Sequence, residues 1–185
     1  MNRTALKLIA LCSMLCMLLS ASGSVSTTQD AEQRVKAAFV FNFAKYTQWP
    51  RSAFPSSSAP IIVGCAGEVA YQDAVEKVLK GKRVRNRGFE VVKVSPRDEV
   101  VRPHILLIGE LSEKREAEIL RSAQGAPVLI IGHAKGFATR GGVINFYIED
   151  NRVRFEINPE AARSAKLTIS SQLLKLARIV KGESQ

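Results

Sequence analysis

The stretch 143–157, VINFYIEDNRVRFEI, constrains the fold more than any other. It reads as two alternating strands meeting at Asp150-Asn151, a pair that tolerates the left-handed conformations of a tight hairpin turn. With those two residues as the loop, the register follows by counting outward. Ile148 faces Val153, Phe146 faces Phe155 and Ile144 faces Ile157 on one side of the ribbon. Glu149 meets Arg152, Tyr147 meets Arg154 and Asn145 meets Glu156 on the other. Because side chains alternate with period two, a slip of one residue would put every apolar group into water. The hairpin therefore has one oily face that must cover a core and one polar face open to another use.

A chain of 185 residues that is 46% hydrophobic can bury one good core. Its N-terminus is set apart from that core. Arg3 and Lys7 precede an apolar run at 8–19 that is too short for a membrane span, and Ala21-x-Gly23 suits a signal-peptidase cut. Residues 1–23 thus read as a secretory signal peptide, and residues 24–31 as a flexible polar leader. Cys12 and Cys16 fall inside the signal, each after a leucine rather than the small residue that lipidation wants. Cys65 is left alone in the exported chain, which excludes an intramolecular disulfide. Removing Arg3 and Lys7 from the 27 basic residues leaves 25 against 17 acidic ones, a net of +8. These charges are scattered and no nucleic-acid motif accompanies them, so no nucleic-acid partner is expected.

From Ala31 the pattern turns helical. Val35, Ala38, Phe39, Asn42, Phe43 and Tyr46 share one face, while Ala37, Val40, Phe41 and Ala44 fill the others. Such a helix must be covered on more than one side, with an internal partner for Asn42. Trp49-Pro50 ends it. Strands then alternate with helices: strands at 61–65, 89–94, 105–108 and 128–131, a helix at 69–79, and another capped by Ser112. After the hairpin, Asn158-Pro159-Glu160 opens a short helix. Ser170-Ser171 opens a final one, with Leu173, Leu174, Leu176, Ala177 and Val180 inward. These elements predict a single three-layer α/β domain: a largely parallel central sheet, a C-terminal antiparallel hairpin and flanking helices.

Chemistry-bearing residues are few. The best enzyme argument pairs Cys65 with His104 or His133, and no local signature supports it; a buried structural thiol is the stronger reading. Two distant histidines without carboxylates at ligand spacing match no metal template, so neither metal nor cofactor is expected. The loop 132–142, GHAKGFATRGG, could hold a small anion through its free backbone N–H groups and the charges of His133, Lys135 and Arg140. It matches no phosphate-binding motif, and a plain connection competes with that reading. Arg83, Arg85 and Arg87 read as a solvated turn. Phe39, Phe41, Phe43, Tyr46 and Trp49 crowd together, mostly as core. Phe41 lies roughly 160–200° around the wheel from Phe39 and Phe43, which makes it and Lys45 candidates for contact with a partner or second copy. Tyr147, Arg152 and Arg154 on the hairpin's polar face are candidates too, with a solvated or helix-covered face as the alternative.

The blocks RVKAAFVFNFAKYTQWP and GGVINFYIEDNRVRFEINPEAARSAKLTISSQLLKLARIV resemble the YfiR family of periplasmic proteins, and the likeness covers residues 32–181. The resemblance implies a small α/β domain that dimerises and performs no catalysis. It also implies a periplasmic repressor that holds down an inner-membrane diguanylate cyclase by binding the cyclase's periplasmic region, until an OmpA-like outer-membrane lipoprotein sequesters it. With a single cysteine after cleavage, this sequence lacks an internal cystine as a redox-sensitive brace.

Overall fold

The computed structural model describes residues 23–94 and 102–182. The signal-peptide reading of 1–23 falls almost wholly outside the described residues, as does much of the connection at 96–102. The chain divides between Glu32 and Gln33 into two compact units, the second of which runs to the C-terminus and carries the sheet. Among the described residues, no helix is long and apolar enough to cross a membrane.

Helix α1, Gly23–Tyr46, leads into β1 (Thr47–Gln48) and a 3-10 turn, Arg51–Ala53. Next come β2 (Ile61–Ala66), α2 (Gln72–Leu79), β3 (Phe89–Lys93), β4 (Ile105–Ile108), α3 (Glu113–Ser122) and β5 (Leu129–Gly132). The hairpin is β6 (Ile144–Glu149) with β7 (Arg152–Ile157), followed by α4 (Pro159–Ser164), β8 (Thr168–Ile169), α5 (Ser171–Leu174) and β9 (Arg178–Ile179). Seven strands form one sheet in the order β3-β2-β4-β5-β6-β7-β9. Strands β3 through β6 are mutually parallel, β7 runs antiparallel to β6, and β9 lies parallel to β7. The short strands β1 and β8 pair separately.

The hairpin has the register counted from its sequence, all six pairs included. Asp150 and Asn151 sit at φ 49° and 56°, as a two-residue turn of this hand requires. The three layers follow from strand alternation. Ile105, Leu107, Leu129 and Ile131 point into a core shared with α1 and α2, whereas Leu106, Ile108, Val128 and Ile130 point to the opposite face, under α3. Both helix caps read from the sequence form: Ser112 Oγ accepts from the Arg115 N–H, and Asn158 Oδ1 accepts from the N–H groups of Glu160 and Ala161.

Several expectations need correction. Helix α1 begins at Gly23, so residues 24–31 are helical rather than an unstructured leader. Its buried row is Ala37, Val40, Phe43 and Ala44, while Val35 is 43% exposed. The two alanines let the backbone approach the sheet closely, and that rotates the inward face away from Val35 and Ala38. Asn42 ends up only half-buried, so its amide needs no internal partner. Helix α2 starts at Gln72 rather than at 69, because Glu68 is held in a β-bridge with Glu110 and keeps the preceding chain out of the helix. The final helix is one turn long; residues 178–179 instead add a strand to β7, with Ile157 O accepting from Val180 N at 2.9 Å. The open edge of β7 offers hydrogen bonds that a second helical turn could not satisfy. Leu176, expected inward, is 73% exposed as a result.

Candidate recognition surface

Cys65 and His104 are built into the packing of the fold. Cys65, on β2, is 2% exposed, and burial pushes its thiol up to about 11, with the Glu76 carboxylate adding to the effect. Such a thiol holds almost no thiolate near neutrality. His104 sits level with Ile62, three residues along the strand from Cys65, roughly 10 Å away. Its Nδ1 accepts from Ile62 N at 3.0 Å and its Nε2 donates to Ala53 O at 3.0 Å, while Phe54 stacks on the ring at 4.2 Å. With both ring nitrogens committed, His104 has no lone pair left for a substrate. His133, which directly follows β5, is exposed.

Burial lowers the pKa of His104 from its ordinary 6.5, with Arg87 pushing the same way and the Ala53 bond opposing. The folded state therefore binds fewer protons than the unfolded one, and stability declines as pH falls below 6.5 toward the folded-state value. Denaturant titrations between pH 7 and 5 are expected to show that decline, with a slope of at most about 1.4 kcal/mol per pH unit. His104→Gln should flatten the profile. An unchanged slope in that variant would assign the proton to another group.

The loop 132–142 is braced rather than open. Cβ atoms at Gly132 or Gly142 would collide with the ring of Phe137, which is fully buried, so these glycines make room for an aromatic plug. Arg140, expected to supply charge to an anion, donates Nε and Nη2 to Glu116 Oε1 at 3.1 and 2.5 Å, and Nη1 to Lys135 O at 2.6 Å. Its charge is compensated within the protein. His133 and Lys135 are exposed to solvent. The anion reading of this loop loses its central residue.

The interface candidates separate into two groups, one on the hairpin and one on α1. On the hairpin, Arg152 is exposed, and Arg154 Nε stands 4.0 Å from Glu149 Oε2 with both side chains about half exposed. Such a pair contributes little. Tyr147 is covered on one side by the Arg178 guanidinium, 4.0 Å from the ring centroid. Arg178 also donates Nη2 and Nε to the buried Glu156 at 2.6 and 3.1 Å, and Glu156 accepts from Asn145 Nδ2 at 3.1 Å. The inner half of the polar face is thus closed by β9. Arg178 escaped the sequence reading because it lay within a stretch patterned as helix.

Phe41 and Lys45 belong to a different surface. The Phe41 ring is half-buried against Phe89 of β3, centroids 6.0 Å apart, and Lys82 Nζ lies 4.6 Å from its centroid. Residues 84–87 form a tight turn closed by reciprocal 2.9 Å bonds between Val84 and Arg87, with Arg85 and Asn86 at φ 47° and 69°. Val84 is buried and anchors the turn, so Arg83 and Arg85 project beside Phe41. Arg87 turns inward instead, donating to Ser56 O and Ala59 O and stacking on Phe54. The result is an open depression of about 450 Å³ lined by Phe41, Lys45, Arg83, Val84 and Arg85. It has an aromatic floor and cationic walls, and no carboxylate lines it. Two of the three arginines in the turn 83–87, read from sequence as solvated, therefore complete the patch around Phe41.

An independent comparison bears on what such a domain does. The profile of the YfiR/HmsC-like family matches residues 33–178, nearly the whole of the second compact unit. The chain belongs to the YfiR/HmsC-like family. No curated protein sequence matches it. Membership brings with it, at the level of the family, a periplasmic regulatory role in cyclic-di-GMP signalling. A regulatory role suits a surface built to bind better than it suits the occupied Cys65 and His104.

Proposed function

We propose that this protein is an exported, non-enzymatic binding protein that represses an inner-membrane diguanylate cyclase through the cyclase's periplasmic sensor region, and so lowers cyclic-di-GMP. Besides the family match, the observation that carries this reading is the patch around Phe41: a half-exposed aromatic ring ringed by the exposed cations Lys45, Lys82, Arg83 and Arg85. An aromatic anchor within a single-sign rim suits a partner with an acidic face and an apolar centre. Repression then works by mass action: the cyclase state that presents this face is favoured by the difference in affinity between its two states. An OmpA-like outer-membrane lipoprotein competes for the repressor, and a second copy of the chain is a further partner.

Charge reversal tests the proposal at sites where folding is not at stake. Lys45→Glu and Arg85→Glu are surface changes expected to alter stability by no more than about 0.5 kcal/mol. Each should weaken capture of the purified periplasmic cyclase fragment, flatten the salt dependence of its association rate, and raise cellular cyclic-di-GMP. Normal capture and normal repression by the double variant would sink the docking assignment.

A further inference from the structure

The loop 49–60 and the basic turn 83–87 are tied to one another through the buried His104. The Ile62 N–H can only donate, so His104 Nδ1 accepts from it at 3.0 Å; the ring proton then sits on Nε2, which donates to Ala53 O at 3.0 Å. His104 O accepts from Trp49 Nε1 at 3.1 Å, and Phe54 lies nearly flat on the imidazole, centroids 4.2 Å apart at 11°. The Arg87 guanidinium stands 3.7 Å from the Phe54 centroid. Two groups that close to one ring must take its opposite faces. Arg87 Nη1 also donates to Ser56 O and Ala59 O at 2.9 and 2.7 Å, and Arg87 closes the turn 84–87 through its reciprocal bonds with Val84. That turn carries Arg83 and Arg85 in the wall of the Phe41 patch. Among the described residues, Arg87 is the charged group whose field acts on the imidazole. Arg51 on the 3-10 turn, Arg102 just upstream and Glu90, beyond Ile62 on β3, are exposed to solvent, and β2, β4 and β5 carry no charged residue.

We infer that His104 is an acid-sensitive latch on the recognition patch: a proton taken up from solvent at Nδ1 frees the loop 49–60 and so releases the turn that positions Arg83 and Arg85. Protonation converts the acceptor that holds the Ile62 N–H into a donor facing a donor. Turning the ring over brings no relief, because an imidazolium donates at both nitrogens. The ring has to withdraw, and withdrawal breaks the Ala53 bond and the Phe54 stack together. The new charge is also of the same sign as Arg87 across Phe54. Burial holds the imidazole neutral by lowering its pKa from the ordinary 6.5, so the latch is closed at neutral pH and opens in acid. One proton sets the steepness: below the folded-state pKa the closed population falls by at most about tenfold per pH unit. The last step, from an open latch to weaker capture of the cyclase, rests on the docking reading above; the latch itself does not.

Trp49 is the only tryptophan of the chain, and its indole is bonded to His104 O, so its emission reports the state of the latch. In the purified exported chain, titrated between about pH 7 and 5, that emission should change in a one-proton transition with its midpoint below 6.5. Amide hydrogen exchange, corrected for its intrinsic pH dependence, should quicken about tenfold in 53–62 and 84–88 over the same range. His104→Gln, whose amide takes up no proton, should lack both changes. Arg87→Gln cuts the tether from the turn's side: it should keep the Trp49 transition with a raised midpoint, and loosen 84–88 already at neutral pH. Cyclase-fragment capture should fall along the wild-type curve and, in His104→Gln, retain only the pH dependence of the partner's own groups. A flat Trp49 signal, a transition retained in His104→Gln, or a turn equally protected in acid and at neutrality would overturn the latch. If His104→Gln fails to fold, a turn left fully protected in Arg87→Gln at neutral pH overturns it instead. Should the latch open while the fragment binds at no pH, the latch is upheld and the partner assigned to the patch is wrong.

Discussion

Phe43→Ala should cost about 3–5 kcal/mol of unfolding free energy, the usual range for deleting a buried aromatic ring. Phe43 is fully buried, and its ring meets Phe39 at 5.8 Å, Phe146 at 5.6 Å and Phe155 at 5.0 Å. These contacts fasten α1 to the oily face of the hairpin, so truncation opens a cavity at the seam between helix and sheet. Against a total of roughly 5–15 kcal/mol for a domain of this kind, such a loss consumes about a fifth of the stability or more. Urea titrations should show a lower midpoint with an unchanged slope. A loss below about 1 kcal/mol would mean that the aromatic cluster does not hold the helix. The recognition patch should weaken in the same variant, because α1 also positions Phe41 and Lys45.

The second large effect is expected at Asn158, which is 2% exposed and serves two masters. Its Oδ1 caps α4 through Glu160 N and Ala161 N, both at 3.0 Å, and its Nδ2 donates to Ala138 O at 2.8 Å in the loop 132–142. Asn158→Ala removes the cap, worth ~1 kcal/mol, and strands a buried carbonyl, at about 1–3 kcal/mol. The expected total is about 2–4 kcal/mol by chemical denaturation. Asn158→Ser should regain about 1 kcal/mol, because a hydroxyl can cap but cannot reach the loop. Full recovery by serine would show that the bond to Ala138 contributes nothing.

Asn158 also shows how far local reading extends. Its cap was legible as Asn-Pro-Glu, since an N-cap and its first helical residues are consecutive in the chain. Its bond to Ala138, 20 residues away, left no mark in the sequence. The candidate site divides the same way. Phe41 stood out by its angle on the helical wheel, but its wall of Arg83 and Arg85 required β3 to lie beside α1 and the turn at 84–87 to aim those arginines outward. In the loop 132–142, glycines and cations suggested an anion site; the fold spends the glycines on Phe137 and the arginine on Glu116. Composition cannot distinguish an exposed cation from one already paired, because the pairing partner is remote.

What the sequence determined alone was whatever consecutive residues decide: the hairpin with its turn and all six pairs, both helix caps, the buried strand at 105–108 and the alternation that makes a three-layer α/β domain. Period-two patterning and turn chemistry act within a few residues, and a wrong register would expose the whole apolar face. Tertiary structure decided the fate of 175–180. There helical patterning yields to the vacant edge of β7, which gains a strand, and Arg178 is carried onto Tyr147 and Glu156. It decided as well that α1 buries its alanine row, and that one arginine cluster divides into an internal clamp and a basic patch. Each of these outcomes depends on hydrogen-bonding edges and charges contributed by distant segments, which meet only once the sheet has assembled.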